Sequence, residues 1–149
     1  QSIALVSYLI EKKHQKGPFL VCVPLSTVEN WSFEFEKWAP SINVVTYIGS
    51  PDRRREIHRD EIAPGRFNVV ITTPEYVMRD AKNLKTIRWF YLIVDEGHRM
   101  KNSKSKLSQV FKQNYHTYRR LILTGTPLHN NLPELWSLLN FLLPRIFAS

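Results

Sequence analysis

Five short apolar runs divide the chain at fairly even intervals. They are rich in valine, isoleucine and aromatic residues, and most lack the apolar–polar alternation of a strand with one exposed face. Runs of this kind are typical of strands covered on both faces, as in a parallel sheet. The pattern therefore predicts strands at residues 19–23, 43–48, 67–72, 90–94 and 120–124.

Segments with helical periodicity lie between these runs. The chain opens on the helix-like stretch QSIALVSYLIEKK. Residues 26–38 begin with serine and glutamate at capping-box spacing, followed by apolar positions with a helical period. Further helices are predicted at 103–114 and at 133–142. Strands that alternate with helices predict an α/β domain, with a mostly parallel central sheet flanked by helices on both faces.

Polar or turn-forming residues follow four of the predicted strands. The stretches are PLST at 24–27, TPE at 73–75, DEGH at 95–98 and GTP at 125–127. In parallel sheets, functional groups collect in the loops that leave the carboxyl ends of the strands. Hydroxyl groups and helix N-termini at such places can bind phosphate. Each stretch taken alone also suits an ordinary helix cap or turn.

The most unusual of these stretches is the acidic pair Asp95 and Glu96, which ends an apolar run. Adjacent carboxylates repel each other, and each loses hydration near a buried strand unless a cation compensates. Mg²⁺ bound to nucleotide phosphates would compensate, with Asp95 serving the metal and Glu96 accepting a proton from the attacking water. A helix N-terminus is the alternative, because Asp is a frequent N-cap and Glu is favourable in the first turn.

Composition narrows the class of protein. The 149 residues are 43% hydrophobic, which suits one globular domain or most of one. No apolar run approaches the roughly 20 residues of a membrane span. The net charge of +8 favours nucleic acid or acidic partners without establishing either. Cys22 is the only cysteine in the sequence, which excludes an internal disulfide and a cysteine-based metal site.

Together these motifs resemble the first RecA-like lobe of Swi/Snf-type chromatin-remodelling ATPases, which are helicase-like proteins of superfamily two. The matching stretches are PLSTVENW, VVITTPEYV, IVDEGHRMKN and LTGTPLHNNLPELWSLLNFLLPRIF, in family order over nearly the whole chain. The resemblance implies a three-layer RecA-like lobe of the P-loop NTPase type over residues 1–149. DEAD-box RNA helicases fit poorly, because they usually carry Ser-Ala-Thr where this chain has Thr-Gly-Thr.

The resemblance also implies roles for individual residues. Asp95 and Glu96 match the Walker B pair of the DEGH box, for metal binding and water activation. His98 matches the histidine that couples the nucleotide site to neighbouring motifs. The residues that would link hydrolysis to movement between the lobes are Thr124, Gly125 and Thr126. The residues that would contact the DNA backbone are Pro24, Leu25, Ser26, Thr27, Thr72 and Thr73.

ATP and Mg²⁺ are the cofactors that the resemblance implies for the intact protein. Two positions depart from the family pattern, since Pro74 stands where an aromatic is usual and His129 where glutamine is usual. No G-x-x-x-x-G-K-[ST] motif occurs in the chain. In the family this phosphate loop comes immediately before the residue that matches Gln1. We therefore expect a partial lobe, truncated just after Walker A.

This expectation has three consequences. The strand that carries the phosphate loop would be missing beside the strand that ends in Thr124, which leaves a hydrophobic strand edge exposed. The second RecA-like lobe with its arginine finger would also lie outside the 149 residues. Because such groups provide most of the electrostatic stabilisation in phosphoryl transfer, we expect these residues alone neither to bind ATP tightly nor to hydrolyse it.

Two functions fit the chain. The first is part of the motor of a DNA-dependent ATPase that translocates along DNA and remodels nucleosomes in transcription regulation. Its implied partners are double-stranded DNA, nucleosomes and other subunits of a remodelling complex in the nucleus, with no membrane. The second is a non-catalytic DNA- or protein-binding module derived from such a motor. The basic segment 99–106 suits either a DNA or histone contact or a solvated helix start, and Arg53 to Arg55 suit an ordinary exposed helix face.

Overall fold

A computed structural model of the chain describes residues 18–38, 40–94 and 106–122. The strands in this part are β1 (Phe19–Cys22), β2 (Val44–Thr46), β3 (Val69–Thr72), β4 (Arg88–Val94) and β5 (His116–Ile122). The helices are α1 (Leu25–Trp38), α2 (Pro51–Ile57), α3 (Pro74–Arg79), α4 (Ala81–Leu84) and α5 (Lys106–Asn114). A π-helical turn, His58–Ile62, continues α2. The five strands fall within or overlap the five predicted runs.

The strands form one parallel sheet in the order β2-β3-β1-β4-β5. The last residues of four strands lie in one row, with Cys22 between Thr72 and Val94 and with Ile122 beyond Val94. Because neighbouring strands are about 4.8 Å apart, these four strand ends lie side by side at one edge of the sheet. The predicted parallel α/β architecture is confirmed.

Both faces of the sheet are buried, as the unbroken apolar runs require. One core cluster joins Leu20 and Leu92 of the strands to Phe111 of α5. The intervening strand residue Val21 is also fully buried, as is Phe35 of α1. Burying a large apolar side chain contributes about 1.5–3 kcal/mol, so residues of this kind are the main source of stability.

The boundaries of β5 and α1 differ from the prediction in ways that have a structural reason. Strand β5 begins at His116, four residues before the predicted run, because its polar first half pairs with Arg88 and Trp89 of β4. Helix α1 begins at Leu25, so Ser26 lies in its first turn and the predicted capping box is wrong. The predicted helices at the start of the chain and at 133–142 lie outside the described residues.

The expectation of an exposed arginine face is wrong for one of the three residues. Arg53 and Arg55 are exposed, whereas Arg54 is 6% exposed. Arg54 lies three residues before the buried Ile57, so the two side chains share the face of α2 that packs on the protein. None of the described helices is both long and apolar enough to cross a membrane.

Candidate functional site

The carboxyl edge of the sheet carries two of the predicted motifs, at residues 24–27 and 72–73. Segments after Cys22 and Thr72 lead into α1 and α3, and Asp95 directly follows Val94 in the sequence. Six predicted site residues lie outside the described part of the chain, namely Asp95, Glu96, His98, Thr124, Gly125 and Thr126. The structure therefore gives the positions of the strand ends that lead into them, and the full geometry of the segments at 24–27 and 72–73.

The strand-to-helix turn at residues 24–27, called the first loop below, consists of Pro24 and the first three residues of α1. Both the backbone N–H and the Oγ1 hydroxyl of Thr27 donate to the Pro24 carbonyl at 2.9 Å. Leu25 is 63% exposed and Ser26 is also exposed, whereas Thr27 is half-buried. Two of the four predicted DNA-contact residues in this loop thus present their side chains to solvent.

Thr72, the last residue of β3, is fully buried. Its Oγ1 hydroxyl donates to the Tyr47 carbonyl at 2.7 Å, and its own carbonyl accepts from the Val23 N–H at 2.9 Å. The Thr72 side chain therefore joins the ends of β3 and β2 inside the protein, and in this conformation it does not reach a ligand at the surface. A direct contact between this hydroxyl and DNA is not supported.

The next residue, Thr73, is also buried but differs in its hydrogen bonding. It precedes α3 in the N-cap position, with extended backbone angles φ −118° and ψ 161°, but its side chain makes no capping hydrogen bond. The residue is 4% exposed, and its Oγ1 atom is buried without a hydrogen-bond partner among the described residues. A buried hydroxyl in this state costs about 1–3 kcal/mol. Pro74 follows in the first turn of α3, where its fixed φ angle is favourable.

A buried polar cluster that the sequence did not predict lies behind these threonines. We call it the Arg54 cluster, and it consists of Tyr47, Arg54 and Asp80. One carboxylate oxygen of Asp80, Oδ2, accepts from Arg54 Nε at 2.7 Å and from the Tyr47 hydroxyl at 2.6 Å. Arg54 Nη1 donates to the Gly49 carbonyl at 2.6 Å, and the guanidinium lies 4.4 Å from the centre of the Tyr76 ring.

Tyr47 and Arg54 have raised pKa values in this cluster. Burial raises the pKa of Tyr47 to about 12, and the hydrogen bond to Asp80 acts in the same direction. The hydrogen bond to Asp80 also raises the pKa of Arg54 above its ordinary value. The only sequence signal for the cluster is Gly49, whose φ of 114° is a conformation that favours glycine.

The described residues contain no group of three or more histidine, cysteine, aspartate or glutamate side chains that could hold a metal ion. The predicted metal ligand, Asp95, lies outside them. In the sequence it directly follows Val94, the last residue of β4. Carboxylate oxygen is a preferred ligand of Mg²⁺, so the residue type and its place in the chain fit a magnesium nucleotide.

Comparison with known proteins decides the family. The SNF2-related domain matches residues 1–149, which is the whole chain. This chain belongs to the SNF2-related domain family. The chain is 56% identical to the SWI/SNF chromatin-remodeling complex subunit snf22 of Schizosaccharomyces pombe, over all 149 residues and 9% of that protein. It is also 56% identical to the ATP-dependent helicase brm of Drosophila melanogaster, over the same residues and 9% of that protein.

A solved structure supports the same assignment. The Sulfolobus solfataricus SWI2/SNF2 ATPase core in complex with double-stranded DNA is 32% identical to this chain, with a TM-score of 0.69 over 99% of this chain and 29% of that one. The RecA-like lobe predicted from the sequence is confirmed. The SNF2-related chain spans about a tenth of the length of the curated relatives it matches.

Proposed function

We propose that this SNF2-related chain is part of the ATPase motor of a DNA-dependent translocase that remodels nucleosomes. The observation that carries the proposal is the row of strand ends at Thr72, Cys22, Val94 and Ile122. In the sequence, the predicted DNA and nucleotide motifs contain or directly follow these strand ends, which supports a combined site at this edge of the sheet. Adjacent motifs of this kind are what coupling between DNA binding and hydrolysis requires.

The nucleotide half of the site uses residues that follow β4 and β5. Magnesium-bound ATP supplies the phosphoryl group that is transferred to water. Asp95 would hold the metal, and Glu96 would accept the proton of the attacking water. His98 would couple this site to the neighbouring motifs. The segment Thr124, Gly125 and Thr126 would relay hydrolysis to movement between two lobes.

The DNA half of the site uses the loops after β1 and β3. Leu25 and Ser26 are exposed at the first loop, and Pro24 and Thr27 fix its shape. Thr73 contributes a hydroxyl that has no partner among the described residues, while Thr72 holds the second loop from inside. Contacts from such groups go mainly to phosphates, which position DNA without reading its sequence.

The nuclear location and the action on nucleosomes are proposed from the names of the relatives. Two proteins that are 56% identical to this chain are subunits of chromatin-remodelling complexes in Schizosaccharomyces pombe. By extension we propose a nuclear protein that acts on nucleosomes within such a complex. Because the 149 residues contain no G-x-x-x-x-G-K-[ST] motif, we also propose that they are a partial lobe and do not hydrolyse ATP by themselves.

The test compares Glu96→Gln with Glu29→Gln in the intact protein that contains this chain. Glu29 is an exposed residue of α1 and controls for the loss of one carboxylate. ATP turnover is measured with and without double-stranded DNA. We expect DNA to stimulate the wild-type protein and the Glu29 variant, and turnover of the Glu96 variant to fall by about 10²–10⁴-fold while DNA binding is retained.

The separate 149-residue chain should show no turnover above that of the Glu96→Gln protein. Retained turnover after the Glu96 substitution would overturn the assigned role of the DEGH box. DNA binding by the intact wild-type protein without any ATP turnover would instead support a non-catalytic binding module.

A further inference from the structure

The segments 46–54 and 72–80 are joined at both of their ends. At the sheet edge, the Tyr47 N–H donates to the Ile71 carbonyl at 2.8 Å, and the Thr72 hydroxyl donates to the Tyr47 carbonyl at 2.7 Å. At the far end of α3, the Asp80 carboxylate accepts from Tyr47 and Arg54. Thr73 and α3 therefore lie between two fixed points, one at the sheet edge and one at Asp80.

The fixed point at the end of α3 is the Arg54 cluster, which is buried and charged. The side chains of Arg54 and Asp80 are 7% and 15% exposed, and Arg54 also donates to the Gly49 carbonyl. Apolar side chains of similar volume could fill such a place with equal or greater stability. The planar guanidinium instead fixes direction, because its separate N–H groups bind Asp80 and Gly49 at the same time. The arrangement is therefore suited to holding one geometry.

The geometry it holds is that of the proposed DNA loops. Residue Thr72 is bound to the end of β2 through its hydroxyl and to Val23 through its carbonyl. Val23 leads directly into the exposed loop at 24–27. A change in the position of α2 or α3 is thus transmitted through Thr72 to both loops.

The same cluster is remote from the end of β4, which precedes predicted nucleotide residues in the sequence. In the order β2-β3-β1-β4-β5, two strands separate β2 from β4, which precedes Asp95. At about 4.8 Å per strand spacing, the ends of β2 and β4 are roughly 14 Å apart. Disturbing the Arg54 cluster should therefore affect the DNA loops before it affects the site of hydrolysis.

We propose that Arg54, held by Asp80 and Tyr47, is a positioning residue that sets the affinity of this motor for DNA without touching either DNA or nucleotide. The inference rests on the proposed function, because it concerns the same DNA site. Loss of the Arg54 contacts should change the response to DNA without changing basal hydrolysis. Loss of a residue that merely supports the whole domain would change both.

The experiment uses the intact protein and compares Arg54→Met with Arg53→Met. Arg53 lies on the same helix, loses the same charge when replaced, and has a side chain that is 55% exposed. Two quantities are measured, namely the basal ATP turnover without DNA and the concentration of double-stranded DNA that gives half-maximal stimulation. For Arg54→Met we expect that concentration to rise about tenfold, the equivalent of 1.4 kcal/mol, with basal turnover within about twofold of wild type. Arg53→Met should leave both quantities unchanged.

Two further variants keep the test decisive if Arg54→Met does not fold. Tyr47→Phe removes the Tyr47 hydroxyl, which binds Asp80 and Asn83, but keeps the Arg54–Asp80 pair, so it should raise the half-maximal DNA concentration by a smaller factor. Arg54→Lys keeps the charge but cannot donate to Asp80 and Gly49 in the same way, so it should not restore the wild-type value.

Unchanged DNA dependence in a folded Arg54 variant would refute the inference and leave the proposed function intact. An equal fall in basal and DNA-stimulated turnover would also refute it, since it would indicate general structural support. Absence of DNA stimulation in the wild-type protein would instead refute the proposed function, and the positioning role would fall with it.

Discussion

Two adjacent threonines at the end of β3 have opposite surroundings. The Thr72 hydroxyl donates to a main-chain carbonyl in the interior, while the Thr73 hydroxyl is equally buried and has no partner among the described residues. A side chain with a hydrogen bond contributes to folding, and one without a partner opposes it. The neighbouring pair therefore separates a buried hydroxyl that stabilises the structure from a buried hydroxyl whose hydrogen-bonding capacity is unused among the described residues.

Valine substitutions test this difference, because valine and threonine have nearly the same shape. We expect Thr72→Val to lower the free energy of unfolding by about 1–2 kcal/mol, since the Tyr47 carbonyl loses its donor, and Thr73→Val to leave it unchanged or slightly raised. Urea denaturation followed by circular dichroism measures both. DNA affinity should respond in the reverse sense, falling for Thr73→Val in the folded protein. Equal loss of stability in the two variants would contradict the structure.

Tyr47 provides a prediction that depends on pH. Its pKa is raised from 10.0 to about 12 in the folded protein, so the unfolded chain releases this proton first as the pH rises. Tyr47 therefore favours folding below pH 10, and that contribution is lost between pH 10 and 12. The difference corresponds to at most about 2–3 kcal/mol. Tyr47→Phe should make the free energy of unfolding fall less steeply in this range. An unchanged slope would show that Tyr47 titrates normally.

At the scale of elements, α5 illustrates how an amphipathic helix is held on the sheet. Phe111 is fully buried in the core cluster, and its ring meets that of Tyr115 at a centroid distance of 5.3 Å. The Tyr115 hydroxyl donates to the Val77 carbonyl at 2.8 Å, which joins the end of α5 to α3. Apolar packing thus holds α5 against the sheet, and one buried hydrogen bond fixes the position of its end.

Phe111→Ala should lower the free energy of unfolding by about 3–5 kcal/mol, because it leaves a cavity in a packed core. Phe33, on α1, is 59% exposed and offers a matched control. Phe33→Ala should change stability by no more than about 0.5 kcal/mol. Thermal or chemical unfolding compares the two variants. Similar losses would mean that a surface packs on Phe33 in the intact protein.

Strands that are buried along their whole length could be predicted from sequence. The five apolar runs predicted the strands because the sheet is covered on both faces. The first half of β5 could not be found in this way, since His116 and Tyr118 are exposed and the strand there is defined by pairing with β4. The inward turn of Arg54 was missed for a related reason. Three consecutive arginines give no indication of which one meets Asp80, a residue 26 positions away.

For the molecule as a whole, the motifs alone did not establish that the strand ends beside them lie in one row. That conclusion needed the strand order and the register, which depend on contacts between residues far apart in sequence. Periodicity predicted the fold class but no family. The resemblance to remodelling ATPases supplied the family, and the match of the SNF2-related domain to residues 1–149 confirmed it. The roles of Asp95, Glu96 and the Thr-Gly-Thr segment stay predictions.

The whole-molecule prediction concerns how DNA is recognised. If the loop at 24–27 contacts phosphates through neutral groups, Ser26→Ala should weaken binding by the same factor on A·T-rich and G·C-rich duplexes, because phosphate contacts carry no base information. The slope of log affinity against log salt should stay unchanged, since each lysine or arginine contact contributes about −0.9 to it and a serine contributes none.

Ser41 supplies the control for this measurement. It is exposed and lies after α1 and before β2, at the amino edge of the sheet, so Ser41→Ala should not affect binding. Fluorescence anisotropy over a series of salt concentrations gives both the affinity and the slope. A Ser26 variant that lost affinity on only one of the two duplexes would mean that this loop reads bases. The loop would then help to select the DNA sequence on which the motor acts, and the backbone-only mode of recognition would have to be abandoned.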